Sequence, residues 1–402
     1  MATLILMAPM QIRKSLSIGG IYDLLLCDFY AKVNVMQGRE VFFPLLMNVN
    51  GSPIEKLLPE QELSRSDIFD IAGIAINNIL DECALYHINF DMVFRDDSNI
   101  QMIRRLLPEK ATLQVNTCPK CGSIYGTDFS ITACRRCGAK LNSVFRNTFA
   151  IHANSSELMD KINHTNFVHK AAKTTLVDYI NNLPLNYDIV LERNRRYSTV
   201  IDGTCIDPRL TAISLLPRAR QNFTERPQIV HVHGNVIKKF TYYAFAFLSD
   251  DDIPDIDFMH GNVVDLDGKK IRNSSTKSQF CVEDFGINER ELRAFFLSSS
   301  AQNDIVIDAN LLKGKKKSLV KFFVLANRIR EERNYQPGTS GVRESIQARL
   351  NNFYRYANSW NLPVAFNEAN EIIHDCWKIV KDSKLTEEEV TIVDDLQSIY
   401  FG

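Results

Sequence analysis

The chain opens on a short apolar run, Leu4-Ile-Leu-Met-Ala8, closed by Pro9. A run of this length without polar alternation predicts a strand buried on both faces, as parallel sheets require. A glycine-containing loop follows at Ser17-Ile-Gly-Gly20. From Ile21 to Gln37 the apolar positions take helical spacing, with Leu24, Leu25, Phe29 and Val33 on one stripe and Gly38 placed to end the helix. Val41-Phe-Phe-Pro-Leu-Leu46 predicts a second strand. Strand, loop, helix and strand in this compass make a βαβ unit, the element of a doubly wound sheet. Phosphates in such units bind at the loop after the first strand, against the helix N-terminus.

Further along, Ser64 to Leu107 reads as helical and charged, and a cysteine-bearing segment follows to about residue 150. Residues 155–195 read as helical. Strands are predicted at Gln228–Val232 and Asp257–Val264, and helices at 288–300 and 318–333. In the last of these Leu319, Phe322, Phe323, Ala326 and Ile329 share a face. Gln336-Pro-Gly-Thr-Ser-Gly341 is a loop or hinge, and two more helical stretches finish the chain. His233-Gly-Asn-Val recurs at His260-Gly-Asn-Val, which is too short to mark a structural repeat.

Composition narrows the class without changing this pattern. The 402 residues are 45% hydrophobic and 24% charged, ordinary for a globular protein of two to three domains, which excludes disorder, collagen and a pure coiled coil. The 47 basic and 48 acidic residues nearly cancel, so a nucleic-acid site must be a local patch. No apolar run reaches membrane-spanning length, and Met1–Met10 lacks the basic start and cleavage site of a signal peptide. The expectation is a cytoplasmic chain with no membrane partner. Of the nine cysteines, five (Cys27, Cys83, Cys205, Cys281, Cys376) are scattered and read as small buried hydrophobes.

The other four carry chemistry. Cys118-Pro-Lys-Cys121 and Cys134-Arg-Arg-Cys137 are separated by twelve residues, and Gly122 and Gly138 follow the pairs. Each C-x-x-C-G presents two thiolates on one side of a tight turn, and four thiolates satisfy tetrahedral zinc with no position left for substrate. The same set suits an iron–sulfur cluster or paired redox dithiols. Lys120, Arg135 and Arg136 beside the sulfurs fit partial neutralisation of a doubly negative centre, or a small patch for a nucleic-acid backbone.

Several stretches together resemble the class I aminoacyl-tRNA synthetases of the methionyl type, over about residues 4–330. Leu16-Ser-Ile-Gly-Gly20 with Tyr22 and Asp28 is similar to the signature loop L-H-I-G-H and its helix. Asn50-Gly-Ser-Pro-Ile-Glu55 resembles an H-G-x-P-I loop, and the cysteine pairs resemble the family's zinc insertion. His231-Val-His-Gly234 follows. Met259 to Ser274 resembles the segment ending in K-M-S-K-S, and Glu291 to Ser300 with Ile307-Asp308 resembles the stem helix and its loop. The resemblance implies an α/β fold: a doubly wound Rossmann-type parallel sheet split by a zinc-knuckle insertion, then a C-terminal α-helical domain. Its expected parts are a first Rossmann half at 1–95, the connective insertion at 96–155, a second half at 156–285, and a stem-contact and truncated helical domain at 286–402.

The departures bear on activity. In this family the H-I-G-H histidines and the K-M-S-K-S lysines stabilise the charge built on the ATP α-phosphate, which is electrostatic catalysis. Here the histidine positions are Ser17 and Gly20, and the loop is Lys270-Ile-Arg-Asn-Ser274, with Asn273 in place of the second lysine. The ribose-holding acid falls at Val236 and the acid for the substrate amino group at Asn48. The two pocket aromatics fall near Cys205 and at Ala212.

The resemblance therefore implies zinc at Cys118, Cys121, Cys134 and Cys137, with ATP left short of its usual contacts. Candidate catalytic residues are Lys270, Arg272, His233 and His260, with His231 a further acid/base candidate. Nucleotide contacts fall to Ser17, Gly19, Gly20, Gly234, His260, Lys270, Arg272 and Ser274, and substrate contacts to Met7, Ala8, Asn48, Cys205 and Ala212. The implied partner is an amino-acid-like small molecule, with tRNA meeting a basic face at Lys313–Lys317. The implied function is a non-translational ligase or transferase acting on an amino acid or an activated aminoacyl group in small-molecule biosynthesis. The other implied function is a catalytically dead paralogue that binds a nucleotide, tRNA or a protein.

Overall fold

Leu4, Ile5, Leu6 and Met7 are all buried, as a strand covered on both faces requires. They form β1 (Thr3–Met7) at the centre of a parallel sheet. The structure, a computed structural model, describes the chain except residues 51, 56, 58–62, 126–131, 135–136, 194–196, 235–252, 272–281, 283–285, 333–334 and 337–340. The sheet's other strands are β2 (Val41–Phe42), β3 (Asn166–Phe167), β4 (Gln228–Gly234) and β5 (Ile256–His260). Their order is β2-β1-β4-β5-β3, with every pairing parallel. The connections diverge to either side of the β1–β4 boundary, which makes that boundary the switch point where ligands of such sheets bind.

Helix α1 (Ile18–Met36) crosses from β1 to β2. Ser17 caps it by accepting the Gly20 N–H at 3.0 Å. Past its end, Gly38 takes a φ of 73°, the left-handed conformation that favours glycine. α1 shares one core with Ile5, Val230, Val232 and Phe258 of the sheet, while Leu4, Leu6 and Ile229 pack on the opposite face with Leu215, Leu216 and Ala219.

The expected second strand is two strands. Val41–Phe42 pairs with Thr3–Leu4 in the main sheet, whereas Pro44–Asn48 joins Met10–Gln11 and Met92–Arg95 in a second parallel sheet. The break has a local cause: Phe43 donates its N–H to Asp91 at 2.6 Å, and Pro44 has no N–H to continue the ladder. Residues 155–195 are likewise not one helical stretch. Helices Ser155–Asn163 and Lys170–Asn181 flank β3, and Asn186–Val190 is a strand. The helical reading of Ser64–Leu107 resolves into helices Arg65–Leu85 and Ile100–Leu106 around the strand Met92–Arg95. An antiparallel ribbon of Lys110–Thr117 and Asn142–Asn154 carries the cysteine pairs at its tip.

Helix α2 (Glu289–Leu297) starts with a capping box between Asn288 and Glu291. Helices Ala309–Glu332, Glu344–Asn358, Leu362–Asp382 and Glu387–Phe401 follow and share the core of α1 rather than building one of their own. Trp360 stacks on Phe258 of β5 at 4.0 Å and on Tyr30 of α1 at 4.8 Å. No helix among the described residues is long and apolar enough to cross a membrane.

Candidate functional site

The two C-x-x-C-G segments fold as near-identical knuckles. The Cys118 and Cys134 N–H groups each donate at 2.8 Å, to the carbonyls of Ser123 and Ala139. The Gly122 and Gly138 N–H groups return to the carbonyls of Cys118 and Cys134, with φ of 66° and 72° that a side chain would strain. Sulfur separations are 3.4 Å for Cys118–Cys137, 3.6 Å for Cys121–Cys134 and 3.8 Å for Cys121–Cys137. A tetrahedral zinc with bonds of about 2.3 Å needs sulfurs roughly 3.8 Å apart, so the donor set fits the ion with little adjustment. The Ser123 and Tyr125 hydroxyls lie 3.1 and 3.2 Å from the Cys121 and Cys134 sulfurs, close enough to donate hydrogen bonds that would steady thiolates. Arg135 and Arg136 lie outside the described residues, and Lys120 is exposed.

The His-Gly pairs at 233–234 and 260–261 end adjacent parallel strands, one residue apart in register, since Gly234 pairs with His260. In both, ring Nδ1 lies within hydrogen-bond distance of the following glycine's carbonyl, 3.0 Å for His233 and 2.7 Å for His260. The recurrence is thus a shared strand-end structure. The offset sends the rings to opposite faces. His260 points to the α1 side, where its Nε2 meets the Asp23 carboxylate and its ring edge meets Tyr22 at 4.9 Å. His233 points away, where its Nε2 lies 2.7 Å from Asp257 Oδ2, with His231 beside them. Gly234 abuts the first group: a Cβ there would come within 3.3 Å of His260 Cε1. Gly261 is required more strictly, because a Cβ would lie 2.0 Å from the Asn303 carbonyl oxygen.

Burial pushes the Asp257 carboxyl up, but the neighbouring His233 and His231 outweigh it and hold the group well below the usual carboxylate range. Burial also pushes His231 down, against the pull of Asp257. Asp257 went unnoticed in the sequence, yet a carboxylate inside the apolar strand Ile-Asp-Phe-Met-His was a visible signal.

Of the other expected residues, Met7 and Ala8 are buried at the C-terminal end of β1, and Gly19 and Gly20 open α1. The Gly20 N–H is taken by Ser17, so the helix start offers one anion-binding donor fewer than its sequence implies. Asn48 is buried, and its Oδ1 has no hydrogen-bond partner among the described residues. The helix Pro208–Ile213 that carries Ala212 packs on the Asn48 strand. Cys205 is half-buried beside Glu192 and Arg146, and burial followed by Glu192 pushes its thiol up, the opposite of an activated nucleophile. Lys270 is exposed and bridges back to Val264. Val236, Arg272, Asn273 and Ser274 lie outside the described residues, as does Cys281. Cys27, Cys83 and Cys376 are buried as expected.

On the Lys313–Lys317 face, Lys315 turns inward to the Ser298 carbonyl and Ser299 hydroxyl, and Lys316 pairs with Glu291 at 3.0 Å. Lys313 and Lys317 remain exposed. A cleft of about 460 Å³, lined by Lys32, Val41, Asp91 and Asp395 among others, opens at the N-terminal edge of the sheet. Sheets of this kind bind ligands at the opposite edge, where the strand-end histidines lie.

With this geometry in place, the comparisons are informative. No protein-family model matches the sequence, and no curated protein matches it. Solved structures do. Two structures of methionyl-tRNA synthetase from Mycobacterium tuberculosis, both with methionyl-adenylate, superpose with TM-scores of 0.68 and 0.69 at 13% and 12% identity. Each alignment covers 99% of this chain and 88% of the synthetase. The chain has a methionyl-tRNA synthetase fold. At this identity the likeness is of the fold alone.

One buried acid beside the Asn48 strand, Asp96, was not singled out in the sequence. Asp96 accepts from Val49 N–H at 2.7 Å and from the Thr211 hydroxyl at 2.6 Å. Complete burial raises its carboxyl to about 6 despite these bonds. The unfolded group titrates near ~3.9, so between these values the folded state holds more protons and stability falls as pH rises. Unfolding at stepped pH should show a loss on the order of 2–3 kcal/mol between about pH 4 and pH 6.5, then no further loss from this group. Asp96→Asn should flatten that segment of the curve, and an unchanged slope in the variant would remove Asp96 as its source.

Proposed function

We propose that this chain is a synthetase-fold ligase or transferase that works outside translation, on an amino acid or an activated aminoacyl group. The observation that carries this reading is His260. Its ring is fixed at the switch point between the Asp23 carboxylate and the Gly261 carbonyl, while both signature-loop histidines are gone. The Asp23 side chain is 24% exposed, so the pair borders solvent rather than being sealed in the core.

Adenylation needs cations and donors around a phosphate. Transfer of an aminoacyl group that is already activated needs less: a base for the acceptor amine and a fixed place for the ester. The Asp23 carboxylate, held by His260 and bordering solvent, supplies the base. The amine nitrogen attacks the carbonyl carbon, the ester C–O bond breaks, and the amine proton passes through the Asp23 carboxylate, which His260 positions, to the departing hydroxyl. Asn48 replaces a carboxylate at the position that would face a substrate amino group, and its Oδ1 remains a neutral acceptor for one. Zinc at the four thiolates holds the ribbon tip in shape and takes no part in this chemistry. Nucleotide contacts from Gly19, Gly20, Lys270, Arg272 and Ser274, and tRNA contacts from Lys313 and Lys317, belong to the same reading. One feature favours the paralogue that only binds: Ser17 occupies an amide that a phosphate would use.

The test uses a pool of labelled aminoacyl-tRNAs with amine acceptors, with and without ATP. Acceptor-dependent loss of label is expected, and His260→Ala should lower it about 10²-fold. Full activity in that variant would remove His260 from the chemistry. No transfer with any aminoacyl group, with or without ATP, would leave the binding role in its place.

A further inference from the structure

The face of the sheet opposite α1 carries a second cluster of ligating side chains that the reading above does not use. His231 and His233 of β4 and Asp257 of β5 stand side by side, because His231 pairs in register with Asp257. All three are buried, at 1%, 1% and 0% exposure. One ligating atom from each lies within 4.8 Å of the others. His233 Nε2 is 2.7 Å, and His231 Nδ1 3.6 Å, from Asp257 Oδ2. A divalent ion with bonds of about 2.0–2.2 Å needs donors roughly 3.0–3.5 Å apart, so the His233–Asp257 pair must open by less than an ångström and the His231–Asp257 pair is already close to that spacing. Asp257 Oδ1 has no hydrogen-bond partner among the described residues, which leaves carboxylate capacity unused inside the fold.

His233 carries the more telling feature. Its Nδ1 lies 3.0 Å from the Gly234 carbonyl, which makes Nδ1–H the donor and turns Nε2 toward Asp257. Metal-ligating histidines are oriented in this way, with the far ring nitrogen donating to a backbone carbonyl so that the near nitrogen keeps its lone pair for the ion. A histidine and a carboxylate that served only as a buried ion pair would need neither the second imidazole nor the open carboxylate oxygen.

We infer that His231, His233 and Asp257 bind a first-row divalent transition ion, zinc being the probe of choice. Two imidazoles and one carboxylate suit zinc, cobalt or iron(II), and they exclude the soft thiolate chemistry of the ribbon tip. Three protein ligands leave at least one position for water or a substrate oxygen, unlike the closed four-thiolate centre. The site lies across the second half of β4 and the start of β5, beside the switch point and on the other side of the sheet from His260. Binding displaces the proton that His233 and Asp257 otherwise share, so uptake of the ion releases acid.

The experiment is zinc stoichiometry on the full chain, after equilibration with micromolar zinc chloride and removal of excess. About two zinc ions per chain are expected, falling to about one in Asp257→Asn and in His233→Ala, with thiolate-bound zinc retained. Cys118→Ser with Cys121→Ser should lose the other ion and keep this one. Cobalt(II) titration of the unchanged protein decides the matter should a variant not fold. A first equivalent should bring sulfur-to-cobalt charge transfer, and a second should add visible absorption without it. Saturation at one equivalent with a purely thiolate spectrum, or a zinc content of one per chain that disappears with the cysteines, overturns the assignment.

Discussion

Replacing Arg293 with alanine should destabilise the protein by about 3–5 kcal/mol, among the largest effects of any single substitution in the chain. Arg293 lies on α2 and is fully buried. Its guanidinium pairs with Asp28 of α1, donates from Nη1 to the Tyr86 carbonyl at 2.9 Å, and donates from Nε and Nη2 to the Ile399 carbonyl at 3.0 and 2.7 Å. One side chain therefore ties the signature helix to the stem helix, to the end of helix Arg65–Leu85 and to the last helix of the chain. Removing it strands the Asp28 carboxylate in the core with only Lys32, 3.1 Å away, as a cation. Lys32 is a weak substitute, since burial and then Arg293 push its amine down to about 8. Lysine at 293 should recover only part of the loss, because it lacks the planar fork that serves three elements together. Denaturant unfolding of the two variants is the check, and a loss below about 1 kcal/mol for Arg293→Ala would mean that α2 is held by its apolar face alone.

Removing metal from the four-thiolate centre should have a comparable effect, confined to one part of the molecule. Among the described residues the ribbon tip has a small apolar cluster, with Cys118, Cys134 and Leu141 buried and Cys121, Tyr125, Cys137 and Ala139 packed against them. Four sulfurs within 4.8 Å of one another without an ion would repel as thiolates, so the ion supplies the folding energy there, on the order of 10 kcal/mol. Chelation, or Cys121→Ser, should open residues 118–141 to proteolysis. Helix α1 and the main sheet have a core of their own and should melt almost unchanged. Limited proteolysis read beside thermal unfolding separates the two. Equal cleavage of the chelated and loaded protein would show that the knuckles fold without metal.

What the sequence discloses and what it hides divides along contact distance. β1, α1 and the two C-x-x-C-G knuckles are local patterns, and the structure builds each where the pattern lies. The strand at 41–46 was legible, but its division between two sheets was not, because it turns on the Phe43 N–H choosing an acid 48 residues away. Arg293–Asp28 and His260–Asp23 join residues separated by 265 and 237 positions, and no periodicity records such pairings. The histidines at 233 and 260 drew attention by type; their opposite faces follow from a one-residue register offset that only strand pairing reveals. The helical domain expected at 286–402 is what the family resemblance implies, not a reading of the periodicity. Trp360 seated between Tyr30 and Phe258 shows that these helices complete the core of the sheet.

We propose that a methionyl-tRNA synthetase fold persists here without the chemistry of methionine activation. Methionine-dependent exchange of labelled pyrophosphate into ATP tests it most directly, with the zinc-loaded, full-length protein. On the proposed alignment, Ser17, Gly20 and Asn273 each lack a charge-stabilising contact that would be worth about 10²–10³ in rate, and Asn48 offers no carboxylate to a substrate ammonium. The predicted result is exchange at background. Methionine-dependent exchange at the rate of a translational synthetase would contradict the account.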